Sequence, residues 1–204
     1  MSRPLRIGLI AEDDSDSLFL EPLIYRQVTA LLDSQGKAPV DLFQRVERCP
    51  VPIIGATDRV RAAARDTAAS CHLFFAHSDW SERAKAEALV EHVRGSAAGS
   101  HARALVVLVP RKETEAWMIA DPTAFRRFRG SDPSCLPVGP QQAEKTADPK
   151  KTLAAVMAGV RHNAPEDYFG ALGERVDLAN LAHMSAYESW VNDTRDALKE
   201  LHFL

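Results

Sequence analysis

Cysteine is scarce in this chain of 204 residues, which has three, at positions 49, 71 and 135. Because no two of them form a Cys-x-x-Cys pair, neither a disulfide framework nor a zinc ribbon is indicated. No apolar run approaches the roughly 18 residues that a membrane span needs. The N-terminal MSRPLRIGLIAEDD has only a short apolar stretch interrupted by acids, unlike a signal peptide. We therefore expect a cytoplasmic protein with no membrane segment.

The composition is that of a globular protein, with 46% hydrophobic and 26% charged residues, which excludes a disordered or collagen-like chain. The net charge of −3 is unevenly distributed. Residues 103–161 contain ten Lys or Arg against six Asp or Glu, whereas the remainder contains fifteen against twenty-two. A basic segment beside an acidic one permits a polyanionic partner without requiring it.

Strand and helix signals alternate through the first half of the chain. Short apolar runs predict strands at residues 5–11, 72–77 and 104–109, and an alternating pattern predicts another at 40–46. Helical patterns between them cover residues 20–32, 57–70 and 82–94. This alternation is typical of an α/β protein with a mostly parallel, Rossmannoid sheet of about four strands flanked by helices.

From Pro110 onward the patterns are helical. Asp148-Pro149 predicts a capped helix start, and Ser185-x-x-Glu188 predicts a capping box that opens the last helix. We expect an α/β core over residues 1–122 and a helical extension over residues 123–204, packed together as one globular unit.

Acidic residues follow two of the predicted strands. Glu12 to Asp16 come directly after the first strand, and Asp79 to Glu82 follow the third. Ligands of open α/β sheets bind outside the carboxyl ends of the strands, so Glu12 and Asp79 would meet there if these strands are neighbours. Converging carboxylates repel one another unless a cation lies between them, and Mg²⁺ is the natural candidate.

Helix capping is the alternative explanation of these acids. Asp14 and Asp16 could cap the first helix, and Ser81 and Glu82 the third. Capping does not account for Glu12, which ends a buried strand.

A third polar segment, PRKETEAWMIADP, follows the fourth strand on the same side of the sheet. On a helix, Glu113, Trp117 and Asp121 would share one face, with Glu115 pointing elsewhere. Without further information, we slightly favour an interpretation in which the two glutamates stabilise a helix N-terminus and Trp117 packs in the core.

Together these segments resemble the Toprim fold, in which a strand ends in Glu and a later strand precedes an Asp-x-Asp motif. That fold occurs in topoisomerases, bacterial primases and the overcoming-lysogenization-defect nucleases. The stretch ETEAWMIADP is similar to a Glu-Ala-Trp-Leu-Leu-Ala-Asp signature of a short Toprim-like family catalogued as domain of unknown function 4276. Residues 5–122 carry the resemblance, and Asp-Pro-Lys-Lys at 148–151 and Tyr-Glu-Ser-Trp at 187–190 are similar in a weaker way.

Membership of that family implies Mg²⁺-dependent phosphodiester chemistry, with Mn²⁺ as a substitute, and frequent pairing with an ABC-type ATPase in anti-phage defence. By the resemblance, the catalytic residues are Glu12, Asp79 and Glu115. The implied metal ligands are Glu12, Asp16, Asp79 and Glu82.

Two positions depart from the family pattern. Asp13 stands where many Toprim proteins have glycine, and Ser81 stands where the second Asp of Asp-x-Asp would be. Either Glu82 replaces that acid or the site is inactive.

The resemblance also implies a nucleic-acid substrate, with DNA favoured over RNA, and leaves a homodimer open. Basic side chains would hold phosphates through sequence-independent contacts. The candidates are Arg111, Lys112, Arg126, Arg127, Lys150 and Lys151. For any single one of them, a solvated helix face is the favoured interpretation.

Two other functions stay open. A receiver domain would use Asp79 as phosphoacceptor, although the spacing from Asp13 is long and the usual Lys-Pro pair after the last strand is missing. A non-catalytic Toprim-like subunit of an ATPase complex is the stronger alternative, favoured by Ser81. None of the seven histidines has a nucleophile-elbow context, and we single out only His77 as a candidate partner of Asp79.

Overall fold

The computed structural model describes residues 2–53, 57–96, 104–161 and 164–204. Six short strands form in the described parts. They are β1 (Arg3–Leu5), β2 (Ile7–Ile10), β3 (Val40–Leu42), β4 (Glu47–Arg48), β5 (Leu73–His77) and β6 (Ala104–Leu108). The strand predicted at 5–11 corresponds to β2, with β1 as a separate strand before it. Of the strand predicted at 40–46, only residues 40–42 form a strand, and β4 lies just beyond it.

All the strand pairs are parallel. The main sheet has the order β4-β2-β5-β6, and β1 pairs with β3 in a two-stranded sheet. The predicted mostly parallel α/β fold is therefore confirmed. Ile10 of β2 lies opposite Ala76 of β5, so the predicted first and third strands are neighbours and end together.

Nine α-helices accompany these strands in the described ranges. They are α1 (Asp14–Gln35), α2 (Thr57–Ser70), α3 (Arg83–Ser96), α4 (Glu115–Met118), α5 (Pro140–Ala143), α6 (Pro149–Met157), α7 (Pro165–Gly173), α8 (Leu178–Leu181) and α9 (Ser185–Glu200). Short 3₁₀ helices cover Trp80–Glu82, Pro122–Arg127 and Pro133–Cys135. The expected boundaries of α2 agree with the structure, because its Ala-rich sequence favours a helix over its whole length.

The two faces of the sheet belong to two hydrophobic clusters. Successive strand residues point to opposite faces, so Phe74 packs in the cluster with α2 and α3, and Phe75 packs in the larger one. The larger cluster also contains residues of α1 and α4 and, from the helical C-terminal segment, Trp190 of α9. Residues 123–204 therefore share a core with the strands.

The start of α9 corrects one expectation. The helix begins at Ser185, but its N-cap residue is Met184 and the predicted Ser185–Glu188 capping box is absent. The buried carboxylate of Glu144 accepts instead from the Ser185 N–H at 3.1 Å, the Ser185 hydroxyl at 2.9 Å and the Ala186 N–H at 2.8 Å. The first backbone N–H groups of α9 are thus hydrogen-bonded by a residue 41 positions away, whereas an ordinary capping box uses residues of the same helix end.

No helix in the described ranges is both long enough and apolar enough to cross a membrane.

Candidate functional site

The acids that follow the strands meet at the carboxyl edge of the sheet. Glu12 follows β2 after one residue, and Asp79 follows β5 after one residue. The backbone N–H of Asp79 donates to Oε2 of Glu12 at 2.6 Å. The predicted meeting of Glu12 and Asp79 is therefore present in the structure.

A buried histidine lies directly beneath this contact. Nδ1 of His77 accepts the backbone N–H of Glu12 at 3.3 Å, so the ring proton must be on Nε2, which lies 2.9 Å from Oγ1 of Thr114. Complete burial lowers the pKa of His77 to about 3, which keeps the imidazole neutral. The 3.8 Å approach of Nδ1 to Oδ2 of Asp16 is therefore not an ion pair.

Thr114 connects this histidine to the first turn of α1. It accepts from Nε2–H of His77, and its hydroxyl is then free to donate to the carboxylate of Asp16, with which it is hydrogen-bonded. Burial, together with the charge of Asp13, raises the pKa of Asp16 to about 8. Asp13 itself is the N-cap of α1, with Oδ1 accepting the N–H of Asp16 at 2.9 Å. Capping thus explains Asp13, but not the buried carboxyl of Asp16.

The segment after β6 adds two further carboxylates, from Glu113 and Glu115. Burial raises the pKa of Glu115 to about 7, and the charges of Glu113 and Asp79 add to the effect. Burial and the charges of Glu12 and Glu113 raise the pKa of Asp79 to about 6. Among the residues that the structure describes, three buried carboxylate oxygens have no hydrogen-bond partner: Oδ1 of Asp79, Oε2 of Glu113 and Oε2 of Glu115. Such orphaned oxygens are costly unless a cation or water compensates them.

Lys150, near the start of α6, supplies positive charge to this acidic cluster, which we define as Glu12, Asp16, Asp79, Glu113 and Glu115. Its Nζ lies 3.9 Å from Oδ2 of Asp79 and 3.8 Å from Oε1 of Glu113. Burial opposes the charged form of Lys150, but the neighbouring carboxylates outweigh it and raise its pKa. Lys150 was predicted to bind phosphate, and here it contacts the acids.

Glu113 belongs to the site, although the family resemblance assigned only Glu115 of this segment to it, and a continuous helix would place the two on different faces. The helix α4 begins only at Glu115, so Glu113 lies in the preceding turn with Glu115 beside it. Trp117 is completely buried in the core, as one interpretation of the segment expected.

Glu82 lies outside the acidic cluster. Its carboxylate pairs with Lys85 of α3, and Ser81 beside it is exposed. Glu82 ends the 3₁₀ helix Trp80–Glu82 and pairs with α3, and the structure gives no support for Glu82 as the replacement for a second Asp.

The other predicted phosphate-binding residues are distributed around the edge of the sheet. Arg111 is exposed, and Nζ of Lys112 donates to the carbonyl of Ala147 at 3.4 Å. Arg126, Arg127 and Lys151 are exposed, and the described residues show no contact between their side chains and the acidic cluster.

A metal would have to be held by these oxygen donors. Across residues 2–53, 57–96, 104–161 and 164–204, no group of three or more His, Cys, Asp or Glu side chains is arranged as a ready metal site. Mg²⁺ needs only one or two carboxylates, because it retains several waters. The orphaned oxygens of Asp79, Glu113 and Glu115 are donors of the type it prefers. The donor chemistry of the acidic cluster therefore fits Mg²⁺.

No protein-family model, curated protein or solved structure matches this chain significantly.

Proposed function

We propose that this chain is a Mg²⁺-dependent, Toprim-like enzyme that cleaves phosphodiester bonds. The observation that carries the proposal is the set of partnerless, buried carboxylate oxygens where β2, β5 and β6 end together. A structural role does not require buried acids without partners, whereas perturbed carboxyl groups at the ligand-binding edge of an α/β sheet are typical of functional sites.

Within this proposal, Asp79 and Glu12 would hold the cation, with Glu113 and Glu115 beside them. Mg²⁺ bound there supplies a polarised phosphate oxygen and a water of lowered pKa. Glu115 is the candidate proton acceptor, because its pKa of about 7 lets it gain or lose a proton near neutral pH. His77 is not a candidate, since it is buried, neutral and committed to Glu12 and Thr114.

Basic side chains on the same edge would bind the phosphates of the substrate. Lys150 contacts Asp79, and Lys112 and the exposed Arg111 come from the segment that carries Glu113. A nucleic acid is the expected polyanion, with DNA favoured over RNA, and an ABC-type ATPase is the expected partner; both come from the family resemblance.

The direct experiment is calorimetric titration of Mn²⁺ into the wild type, Asp79→Asn and Asp14→Asn at pH 8, where most of these carboxyl groups are ionised. Asp14 is exposed in the same turn as Asp13, so Asp14→Asn controls for the loss of one negative charge. We expect binding by the wild type and Asp14→Asn, and none by Asp79→Asn. Supercoiled plasmid and single-stranded DNA, incubated with each protein and Mg²⁺ or Mn²⁺, then test for cleavage. Absence of Mn²⁺ binding by the wild type at millimolar concentration would refute the proposal.

A second candidate function is that of a non-catalytic subunit of an ATPase complex. It is favoured by the exposed Ser81 in place of an acid and by the lack of a ready metal site within the described residues. Metal-dependent cleavage by the isolated chain would exclude it, whereas cleavage only after addition of an ABC-type ATPase would favour a site completed by the partner.

A further inference from the structure

A groove adjoins the acidic cluster on the β6 side of the sheet. Its volume is about 510 Å³, and its walls come from the 3₁₀ helix Trp80–Glu82 with the start of α3, from β6, and from α9. The side chains that matter for its chemistry are Trp80, Arg83, Arg111, Trp190 and Asp193.

The chain segments that line the groove also carry residues of the acidic cluster. Trp80 directly follows Asp79, and its N–H donates to the carbonyl of Lys112 at 3.1 Å. This bond ties the segment after β5 to the segment after β6, between Arg111 and Glu113. The groove and the acidic cluster are therefore built from the same two chain segments.

Trp80 is the exposed tryptophan of the groove. Its exposed fraction is 52%, while Trp117 and Trp190 are buried in the core. The guanidinium of Arg83 lies 5.3 Å from the centroid of the Trp80 ring, within range of a cation–π contact, and its Nε donates to Glu87 at 2.6 Å. An exposed aromatic ring beside an arginine matches the surface that nucleic-acid bases and phosphates contact.

We propose that this groove binds an unpaired nucleotide whose base stacks on Trp80 and whose phosphate contacts Arg83 and Arg111. The inference rests on the proposed phosphodiester chemistry and names its substrate class as single-stranded nucleic acid. In a duplex, both faces of each base are covered by neighbouring bases. Stacking on Trp80 is therefore available only to a base that is unpaired or has left the helix.

The charges that line the groove suit a nucleotide better than an apolar ligand. Its lining includes Arg83, Arg111 and the carboxylate of Asp193. Arg83 is also paired with Glu87, so the exposed Arg111 is the main cationic group for a phosphate. The carboxylate of Asp193 can accept from an N–H group of a base.

The test is binding of a short, fluorescein-labelled oligo(dT), measured by anisotropy in EDTA so that neither metal binding nor cleavage contributes. The proteins are the full chain and its Trp80→Ala, Trp80→Phe, Arg111→Gln and Arg65→Gln variants. Phe retains an aromatic face, and Arg65 is an exposed arginine of α2 that does not line the groove. Trp80 is exposed, so its replacement should leave the fold intact, which circular dichroism checks.

We expect Trp80→Ala to weaken oligo(dT) binding about tenfold, Arg111→Gln to weaken it measurably, and Trp80→Phe and Arg65→Gln to stay close to the wild type. Unlabelled duplex should compete more weakly than single strands. Unchanged binding by Trp80→Ala, equal loss in Trp80→Phe and Trp80→Ala, or no binding by the wild type would each overturn the inference. Oligonucleotide binding in EDTA without Mn²⁺ binding would refute the proposed metal chemistry alone. If the wild type cleaves DNA but Trp80→Ala binds oligo(dT) with unaltered affinity, only the proposed role of the groove is refuted.

Discussion

The backbone N–H of Asp79 donates to the carboxylate of Glu12 at 2.6 Å, across the carboxyl ends of two adjacent parallel strands. This bond holds the carboxylate of Glu12 in place but leaves the side chain of Asp79 among other acids. Burial and the charge of Glu12 raise the pKa of Asp79 to about 6. The backbone of Asp79 thus holds the carboxylate of Glu12 in place, and the charge of that carboxylate disfavours ionisation of the Asp79 side chain.

Buried acids should make the folding stability depend on pH. The pKa values of Asp16 and Glu115, about 8 and 7 when folded, lie well above their unfolded values near 4. The folded state therefore binds more protons in this range, and stability falls as pH rises. Below about pH 6.5 the lowered pKa of His77 acts in the opposite direction, because its unfolded form is protonated and its folded form is neutral. The carboxyl effect should thus dominate between pH 6.5 and 8.

We expect the free energy of unfolding to fall by about 1–2 kcal/mol from pH 6.5 to 8, as measured by urea denaturation. Asp16→Asn should flatten most of this dependence, whereas Asp14→Asn, in an exposed position of the same turn, should retain it. Stability that is constant or rises over this range would contradict the raised pKa values.

Replacement of His77 should cost stability through its two partners. His77→Phe leaves the N–H of Glu12 and the hydroxyl of Thr114 buried without the ring nitrogens, and we expect a loss of about 2–4 kcal/mol in urea denaturation. His77→Gln, whose amide can bond to one of the two partners, should lose less. Equal stability of His77→Phe and the wild type would show that these bonds contribute nothing.

Removal of the Lys150 ammonium should raise the pKa values of Asp79 and Glu115 further. The charge of Lys150 favours ionisation of both groups, and Lys150→Met removes it. Titration of the side-chain carboxyl carbons by ¹³C NMR measures this change. Lys151→Met is the matched control, because Lys151 is the exposed next residue and has no contact with the acidic cluster within the described residues. Identical titration curves for Lys150→Met and Lys151→Met would contradict the arrangement.

Loss of the Glu144 carboxylate should destabilise the start of α9. Glu144→Ala removes the acceptor of two backbone amides and one hydroxyl, and we expect a loss of about 2–3 kcal/mol of unfolding free energy. Glu188→Ala tests the predicted capping box, which the structure lacks, and should cost much less. A larger loss for Glu188→Ala than for Glu144→Ala would favour the capping box.

Local sequence patterns were sufficient for the elements whose signal lies within the element. Apolar runs predicted β2, β5 and β6, and β2 and β5 are buried on both faces, as a continuous apolar segment indicates. The Ala-rich stretch predicted α2, and Asp148-Pro149 predicted the start of α6, where the Asp148 carboxylate accepts the N–H of Lys151. The acids that directly follow the strands indicated the site, because neighbouring parallel strands end at the same edge of the sheet.

Only the tertiary structure decided which side chains meet at that edge. Lys150 reaches Asp79 across 71 positions of the sequence, and Glu144 reaches Ser185 across 41. Glu82, three residues from Asp79, pairs with Lys85 instead. Periodicity and capping patterns report on neighbours along one element, whereas these contacts depend on how the helices pack on the sheet and on which carboxylates are buried together.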